Sequence, residues 1–329
     1  MKLTDKKIDE LNIQLTLQVA GEDYAEPQRK RIANTRKNAD FKGFRKGNVP
    51  ESLIRKVYGE QILFESVNEV ISKSLDEYIK NNKLNILGEP LPSESQPEME
   101  WVDGNDFTFV FDLAVSPEVS LDVVKEDAVT RYDISVDEKD KQSMIDNMKK
   151  YYEEKKEEKS AEDIDKEVTE RLEAQLKQES DWRFNKDIRE YFVKKSGIKL
   201  PEDFLKRWLV SANEGKISKE DVEKDFPAFA EDFKWQLVRG FLMKKYGFKI
   251  TEDDLKEAAK AFVAYQYAMY GIGNVPEEMI EEAAKNVLSD RKQLSSIEEQ
   301  VEDEKVLSKL REEITVKKKK ISSAKFREL

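Results

Sequence analysis

The stretch DFKGFRKGNVP, residues 40–50, is unlike the chain around it. It gathers Phe41, Phe44, two glycines, a proline and the cations Lys42, Arg45 and Lys46 in a protein of formal net charge −11. From Glu26 to Pro50 eight basic residues (Arg29, Lys30, Arg31, Arg36, Lys37, Lys42, Arg45, Lys46) stand against two acidic ones, Glu26 and Asp40. A basic patch on an acidic chain is an electrostatic docking surface for phosphate or for an acidic partner. Gly43 and Gly47 permit tight turning on either side of Phe44-Arg45-Lys46, and Pro50 restrains the exit. The tip can offer an aromatic ring between cations, which suits RNA backbone together with a protein pocket. The alternative is a turn whose Phe44 folds back onto the core.

Working outward, residues 7–20 alternate through Ile13, Leu15, Leu17 and Val19, the period of a strand with one buried face. GEDYAEPQRKRIANTRKNA then reads as a basic helix entering the loop. PESLIRKVYG starts a helix near Pro50 and ends it at Gly59; a further helix carries Ile62, Leu63, Val67, Val70, Ile71, Leu75 and Ile79 on one face. LNILGEPLP and DFTFVFDLAVSPEV alternate again. The expected order is β-α-α-α-β-β, an α+β N-terminal domain with a small antiparallel sheet over residues 1–118. Residues 119–170 read as a linker strand and a charged helix, and 171–329 as an elongated, mainly helical domain. There Pro201, Ser218, Thr251 and Pro276 stand before acidic first turns that suit the positive end of a helix dipole. EITVKKKKISSAKFREL reads as a short strand, a basic turn at Lys317–Lys320 on a solvated surface, and a last fragment.

Of the 329 residues 39% are charged and 38% hydrophobic, a balance that fits long solvated helices. Cysteine and histidine are both absent, a marked compositional bias. Disulfides, thiolate or imidazole metal sites and the usual nucleophile–base pairs are thereby excluded; catalysis by carboxylates or lysine stays open, but no metal, cofactor or catalytic residue is singled out. No apolar run reaches membrane-spanning length and charges interrupt the N-terminal segment, so a cytoplasmic location is expected, without membrane or DNA partners. Residues 255–279, LKEAAKAFVAYQYAMYGIGNVPEEM, are the candidate adaptable apolar surface. Helical spacing directs Leu255, Ala258, Ala259, Phe262, Gln266, Met269 and Tyr270 inward, and leaves Tyr265 and Tyr267 off that stripe.

GFRKGNVP followed by LIRKVYGEQILFESVNEVI closely resembles the ribosome-docking signature of the bacterial trigger factor family. The likeness continues through NILGEPLP and FTFVFDLAVSPEV and resumes more loosely from about residue 170, in VPEEMI and the terminal strand. The resemblance implies an ATP-independent chaperone, and no P-loop is present. It implies that Phe44, Arg45 and Lys46 contact the large ribosomal subunit, protein and rRNA, at the exit tunnel. Gly43, Gly47 and Pro50 would shape the loop, with Lys42, Arg29, Lys30, Arg36 and Lys37 as auxiliary cations. Nascent or unfolded chains would be held by the helical domain, with Phe262, Tyr265, Tyr267, Met269 and Tyr270 as candidate contacts. Between Val136 and Ser180 the chain is too short for that family's FKBP-type isomerase domain, so no isomerase activity is expected. The alternatives are a free holdase resembling periplasmic outer-membrane-protein chaperones, or a shortened or redesigned family member retaining only client binding; self-association is left open.

Overall fold

The computed structural model describes residues 1–155, 158–214 and 216–329. Two strands open the chain, β1 (Lys2–Lys7) and β2 (Asn12–Val19), then helices α1 (Gly21–Asn38) and α2 (Glu51–Asn81), then β3 (Ile86–Pro92) and β4 (Phe107–Val115). The four strands form an antiparallel sheet in the order β1-β2-β4-β3. Leu15, Leu17 and Val19 alternate onto its buried face, beside Phe107, Phe109 and Leu113 of β4. Leu63, Val67, Ile71 and Leu75 of α2 cover them at helical spacing.

Two expectations for this region are overturned. An additional strand, β1, precedes the alternating one. It pairs along Lys2–Lys7 with β2 although only Leu3 is even half-buried, so side-chain patterning could not reveal it. The turn between them is set by Asp9, whose carboxylate accepts the N–H groups of Leu11 and Asn12 at 2.7 and 2.8 Å. The second expectation was a helix ending at Gly59, but α2 runs unbroken for 31 residues. One glycine costs a helix only about 1 kcal/mol, and apolar residues on both sides of it, Ile54 and Ile62, enter one cluster. The order is therefore β-β-α-α-β-β.

The chain continues through β5 (Ala128–Ser135), α3 (Glu138–Lys155), α4 (Ala161–Ser196), α5 (Glu202–Ala212), α6 (Lys219–Tyr246), α7 (Glu252–Met269), α8 (Glu277–Ser289), α9 (Arg291–Glu313), β6 (Thr315–Ser322) and α10 (Ser323–Phe326). It divides into two compact units, Met1–Glu118 with Lys199–Ala230, and Val119–Ile198 with Glu231–Leu329. The first unit thus includes α5. Arg207 reaches from α5 to Asp112 of β4 at 2.8 Å and to the Pro92 carbonyl at 2.7 Å. Trp208 lies over Gly88, where a Cβ would stand 2.6 Å from the indole nitrogen. Gly88 also has φ +70°, in the left-handed region.

In the second unit Phe184, Ile188 and Phe192 of α4, Trp235, Val238 and Leu242 of α6, and Val306, Leu307 and Leu310 of α9 form the core. Asp303 links these three helices. It accepts from Trp235 Nε1 at 2.7 Å, Arg239 at 3.2 Å and Arg189 at 2.8 Å. Helices α3 and α4 pack through Ile145, Ile164 and Val168, with Ser160 capping α4. The expected cap or proline stands at the start of α5, α6, α7 and α8, at Pro201, Ser218, Thr251 and Pro276. The basic turn expected at Lys317–Lys320 is corrected. These lysines lie within β6, which pairs in parallel with β5 from Ala128↔Thr315 to Ser135↔Ser322. The main chain of a strand needs a partner strand rather than apolar side chains, and β5 supplies one from far upstream.

Replacement of Gly88 by Ala combines a left-handed φ with displacement of the Trp208 ring. We expect a loss of about 2 kcal/mol or more in the first unit. Urea unfolding followed by tryptophan fluorescence checks this; an unchanged midpoint would show that the ring moves aside without cost.

Candidate functional site

The loop of residues 39–50 joins α1 to α2 and is built from two successive four-residue turns of one design. In Phe41-Lys42-Gly43-Phe44 the Phe44 N–H donates to the Phe41 carbonyl at 3.0 Å, with Gly43 at φ +93°. In Arg45-Lys46-Gly47-Asn48 the Asn48 N–H donates to the Arg45 carbonyl at 2.9 Å, with Gly47 at φ +85°. Both turns place lysine second and glycine third, where a positive φ marks the type II form. The glycines are needed for that φ rather than for space, since a Cβ at either would touch nothing within 4 Å.

The turns are anchored from beneath. Val49 is fully buried with Ile32 of α1 and with Ile54 and Ile62 of α2, and Phe41, Leu53 and Tyr58 close the cluster. The Phe41 and Tyr58 rings meet edge to face at 6.0 Å. Arg36 Nε donates to the Val49 carbonyl at 2.8 Å, tying the last turn of α1 to the loop exit. Pro50 stands at the cap of α2, and its carbonyl accepts from Leu53 and Ile54 at 3.0 and 3.2 Å. Phe41 and Val49 therefore carry the inward packing, and Phe44 is left 43% exposed, on the outer side. The sequence reading had not separated these phenylalanines, and it gave Phe41 no role.

The eight cations of the region divide by partner. Arg31 reaches Glu65 and Glu69 of α2 at 2.7 and 2.8 Å, Lys30 pairs with Glu26 at 2.6 Å, and Arg36 is held by Val49. The Glu26 contact holds the Lys30 ammonium above its usual range, though an exposed pair of this kind contributes little to stability. Arg29, Lys37, Lys42, Arg45 and Lys46 are exposed and, among the described residues, meet no carboxylate within ion-pair distance. The loop thus presents Phe44 beside unneutralised charge on a packed support. Arg36 is a positioning residue in this geometry.

The second candidate surface lies on the α7–α8–α9 assembly. Ala259 and Val263 of α7 pack against Ala284 and Val287 of α8 and Ile297 and Val301 of α9. Lys260 reaches Glu281 at 2.8 Å, and Lys305 reaches Asp254 at 2.9 Å. Asp254 closes the α7 cap with Thr251; that backbone N–H and Lys305 hold its carboxyl down at about 2. The inward stripe is Leu255, Ala258, Ala259, Phe262, Val263 and Tyr267. Three expected inward residues are corrected: Gln266, Met269 and Tyr270 face solvent. Met269 is 70% and Tyr270 82% exposed, with Tyr265 at 65%. Tyr267, expected off the stripe, is corrected inward; it is the last α7 residue on the core, and Met269 and Tyr270 continue the periodicity with nothing to bury them. Ile272 and Met279, which sequence reasoning missed, are also exposed around the α7–α8 turn.

Two family models match the chain. Bacterial trigger factor protein covers residues 1–148, and the probable trigger factor C-terminal domain covers residues 180–329. The chain belongs to the trigger factor family. A trigger factor from Psychrobacter cryohalolentis is 34% identical over 171 residues, 51% of this chain and 37% of the relative. One from Psychrobacter sp. PRwf-1 is 29% identical over 262 residues, 78% of this chain and 54% of the relative. The chain thus spans about half, or less, of the length of these curated relatives. A solved structure of the trigger factor chaperone aligns over 94% of this chain and 99% of its own, at TM-score 0.49 and 14% identity. Between the two matched stretches lie residues 149–179, which hold the end of α3 and the first half of α4.

Proposed function

We propose that this chain is an ATP-independent, cytoplasmic chaperone that docks on the large ribosomal subunit through residues 43–50. It shields emerging or unfolded chains with its helical region, from residue 171 on. The observation that carries the docking reading is the pair of turns that holds Phe44, Arg45 and Lys46 outward on a packed base, with no carboxylate at ion-pair distance among the described residues. Charge-assisted contacts to phosphate oxygens and an aromatic contact with a protein pocket are what this tip can make. Gly43, Gly47 and Pro50 shape it, and Lys42, Arg29 and Lys37 add long-range attraction; Lys30 and Arg36, already engaged, act less directly. Client binding is assigned to the exposed apolar turn of Tyr265, Met269 and Tyr270, with Phe262 and Tyr267 supporting it from the core side. Aromatic and methionine side chains adapt to varied apolar segments. No prolyl isomerase activity is assigned, because the described residues between the two matched stretches hold only the end of α3 and the first half of α4.

Each part has its own test. Ribosome co-sedimentation of a Phe44→Ala, Arg45→Ala, Lys46→Ala variant should show about hundredfold weaker binding, from loss of two charge-assisted contacts at about 1.5 kcal/mol each. The wild-type chain should lose binding as salt rises; equal pelleting of both proteins at all salt concentrations sinks the docking reading. A Tyr265→Ser, Met269→Ser, Tyr270→Ser variant, whose changed side chains are all exposed, should keep the unfolding midpoint. It should suppress aggregation of a refolding client less well without ATP; undiminished suppression removes the assignment. In a protease-coupled prolyl-peptide assay the chain should leave the uncatalysed rate unchanged, and a rate rising with protein concentration would refute the third point.

A further inference from the structure

The small parallel sheet has one covered edge and one open edge. The Thr315 N–H donates to the Asp127 carbonyl at 2.7 Å, which fixes the phase of β6. In a parallel pair alternate residues turn both main-chain groups toward the same neighbour. Thr315, Lys317, Lys319 and Ile321 therefore bond to β5, and Val316, Lys318 and Lys320 direct their N–H and C=O groups away from it. On the β5 side α4 packs against the strand, and its Ser180 hydroxyl donates to the outward carbonyl of Tyr132. On the β6 side no described residue meets the outward groups of Val316, Lys318 or Lys320. Among the described residues the sheet contains only β5 and β6.

Open edges take up extended chains, and lysines are a common means of keeping a second sheet away. Here Lys317, Lys318, Lys319 and Lys320 are consecutive and exposed, so they project alternately from both faces of the edge. Lys319 lies over the Tyr132 ring at 6.0 Å, and none of the four has a carboxylate within ion-pair distance among the described residues. A second copy of β6 on this edge would set lysines against lysines. A neutral strand would gain only main-chain bonds. An extended acidic strand gains those bonds and also brings carboxylates opposite ammonium groups on both faces.

We propose that β6 is a peptide-binding edge that takes an extended, acidic segment of an unfolded chain by strand addition at Val316, Lys318 and Lys320. This deepens the client-binding reading by naming a class of segment, but it rests on different residues from the exposed α7–α8 turn.

The test uses the full chain without ribosomes and three eight-residue peptides: alternating Val/Glu, alternating Val/Lys, and the Val/Glu sequence N-methylated at every residue. The last keeps the acidic charge but lacks N–H donors. Amide exchange measured residue by residue should slow at Val316, Lys318 and Lys320 on adding the Val/Glu peptide. That peptide should bind about tenfold more tightly than either of the others, as two to three cross-strand ion pairs or the missing donors allow. Lys317→Gln, Lys318→Gln, Lys319→Gln and Lys320→Gln together should erase most of the preference for Glu over Lys while leaving the strand in place. Equal binding of the N-methylated peptide, or binding with no protection at the three amides, would reduce the lysines to a diffuse anion surface and overturn the proposal. So would protection that rises with protein concentration in the absence of peptide, the sign of edge pairing between copies. The Tyr265→Ser, Met269→Ser, Tyr270→Ser variant should bind the Val/Glu peptide as the parent does. Failure at the edge and failure at the turn are thereby separable.

Discussion

One buried carboxylate, Asp127, holds the second unit's two chain ends in register. It is 3% exposed and accepts Lys195 Nζ at 2.6 and 2.7 Å, the Tyr191 hydroxyl at 2.7 Å and the Val124 N–H at 2.9 Å. Its carbonyl accepts the first N–H of β6. Burial by itself would push this carboxyl up, but Lys195, the Val124 N–H and Tyr191 together hold it below the usual carboxylate range. A buried charge with this many donors is costly to break and cheap to keep, since removing one partner strands the others. Through it the start of β5, the end of α4 and the start of β6 are fixed at one point. The phase of β6, and so the identity of the main-chain groups left on its open edge, follows from that single contact.

The α1–α2 loop obeys a different constraint. Its outer residues stand outside the apolar cluster, so their placement depends on what lies beneath and on two backbone angles. Val49 and Phe41 supply the base, Arg36 closes the exit, and Gly43 and Gly47 allow a chirality that other residues resist. Adaptable tips are poor at holding charge in a fixed place, because every unpaired cation gains by moving toward a carboxylate. Two turns of one design on a packed base restrict that movement. On α1, Arg31 and Lys30 have found carboxylates while Arg29 and Lys37 have not, and none of the cations on the turns has one among the described residues.

Sequence pattern was informative wherever one element by itself determined the outcome. The alternation of Leu15, Leu17 and Val19, the α2 stripe and the starts of α5 to α8 are local facts, and each is found where it was expected. What escaped notice depended on a partner. Strand β1 has almost no buried side chain and exists because β2 offers it an edge. Lys317–Lys320 extend because β5 lies beside them. Gly59 stays helical because Ile54 and Ile62 on either side of it bury in one cluster. Met269 and Tyr270 keep the helical period but lie beyond the end of the core, a limit that the period does not encode. For the candidate loop, the composition marked the place and the glycines; the division of labour between Phe41 and Phe44 required the packing.

These cases converge on how charge is used in a chain where acids and bases interleave throughout. Most ion pairs here are exposed and each contributes little to stability. Their effect is to neutralise, leaving the surface without strong local fields. Against that background a run of neighbouring cations without ion pairs on a held main chain is the informative feature. Two such runs are the turns at residues 42–46 and the strand at 317–320, and in both the main chain is held by something other than the charges. On the loop the support is an apolar base and two left-handed glycines; on the strand it is the ladder to β5 and the Asp127 contact that starts it. Because the backbone is fixed independently, the lysines and arginine there are not needed for folding. They remain available as fixed positive charge for an acidic partner, at a cost in stability small enough for an acidic chain to absorb.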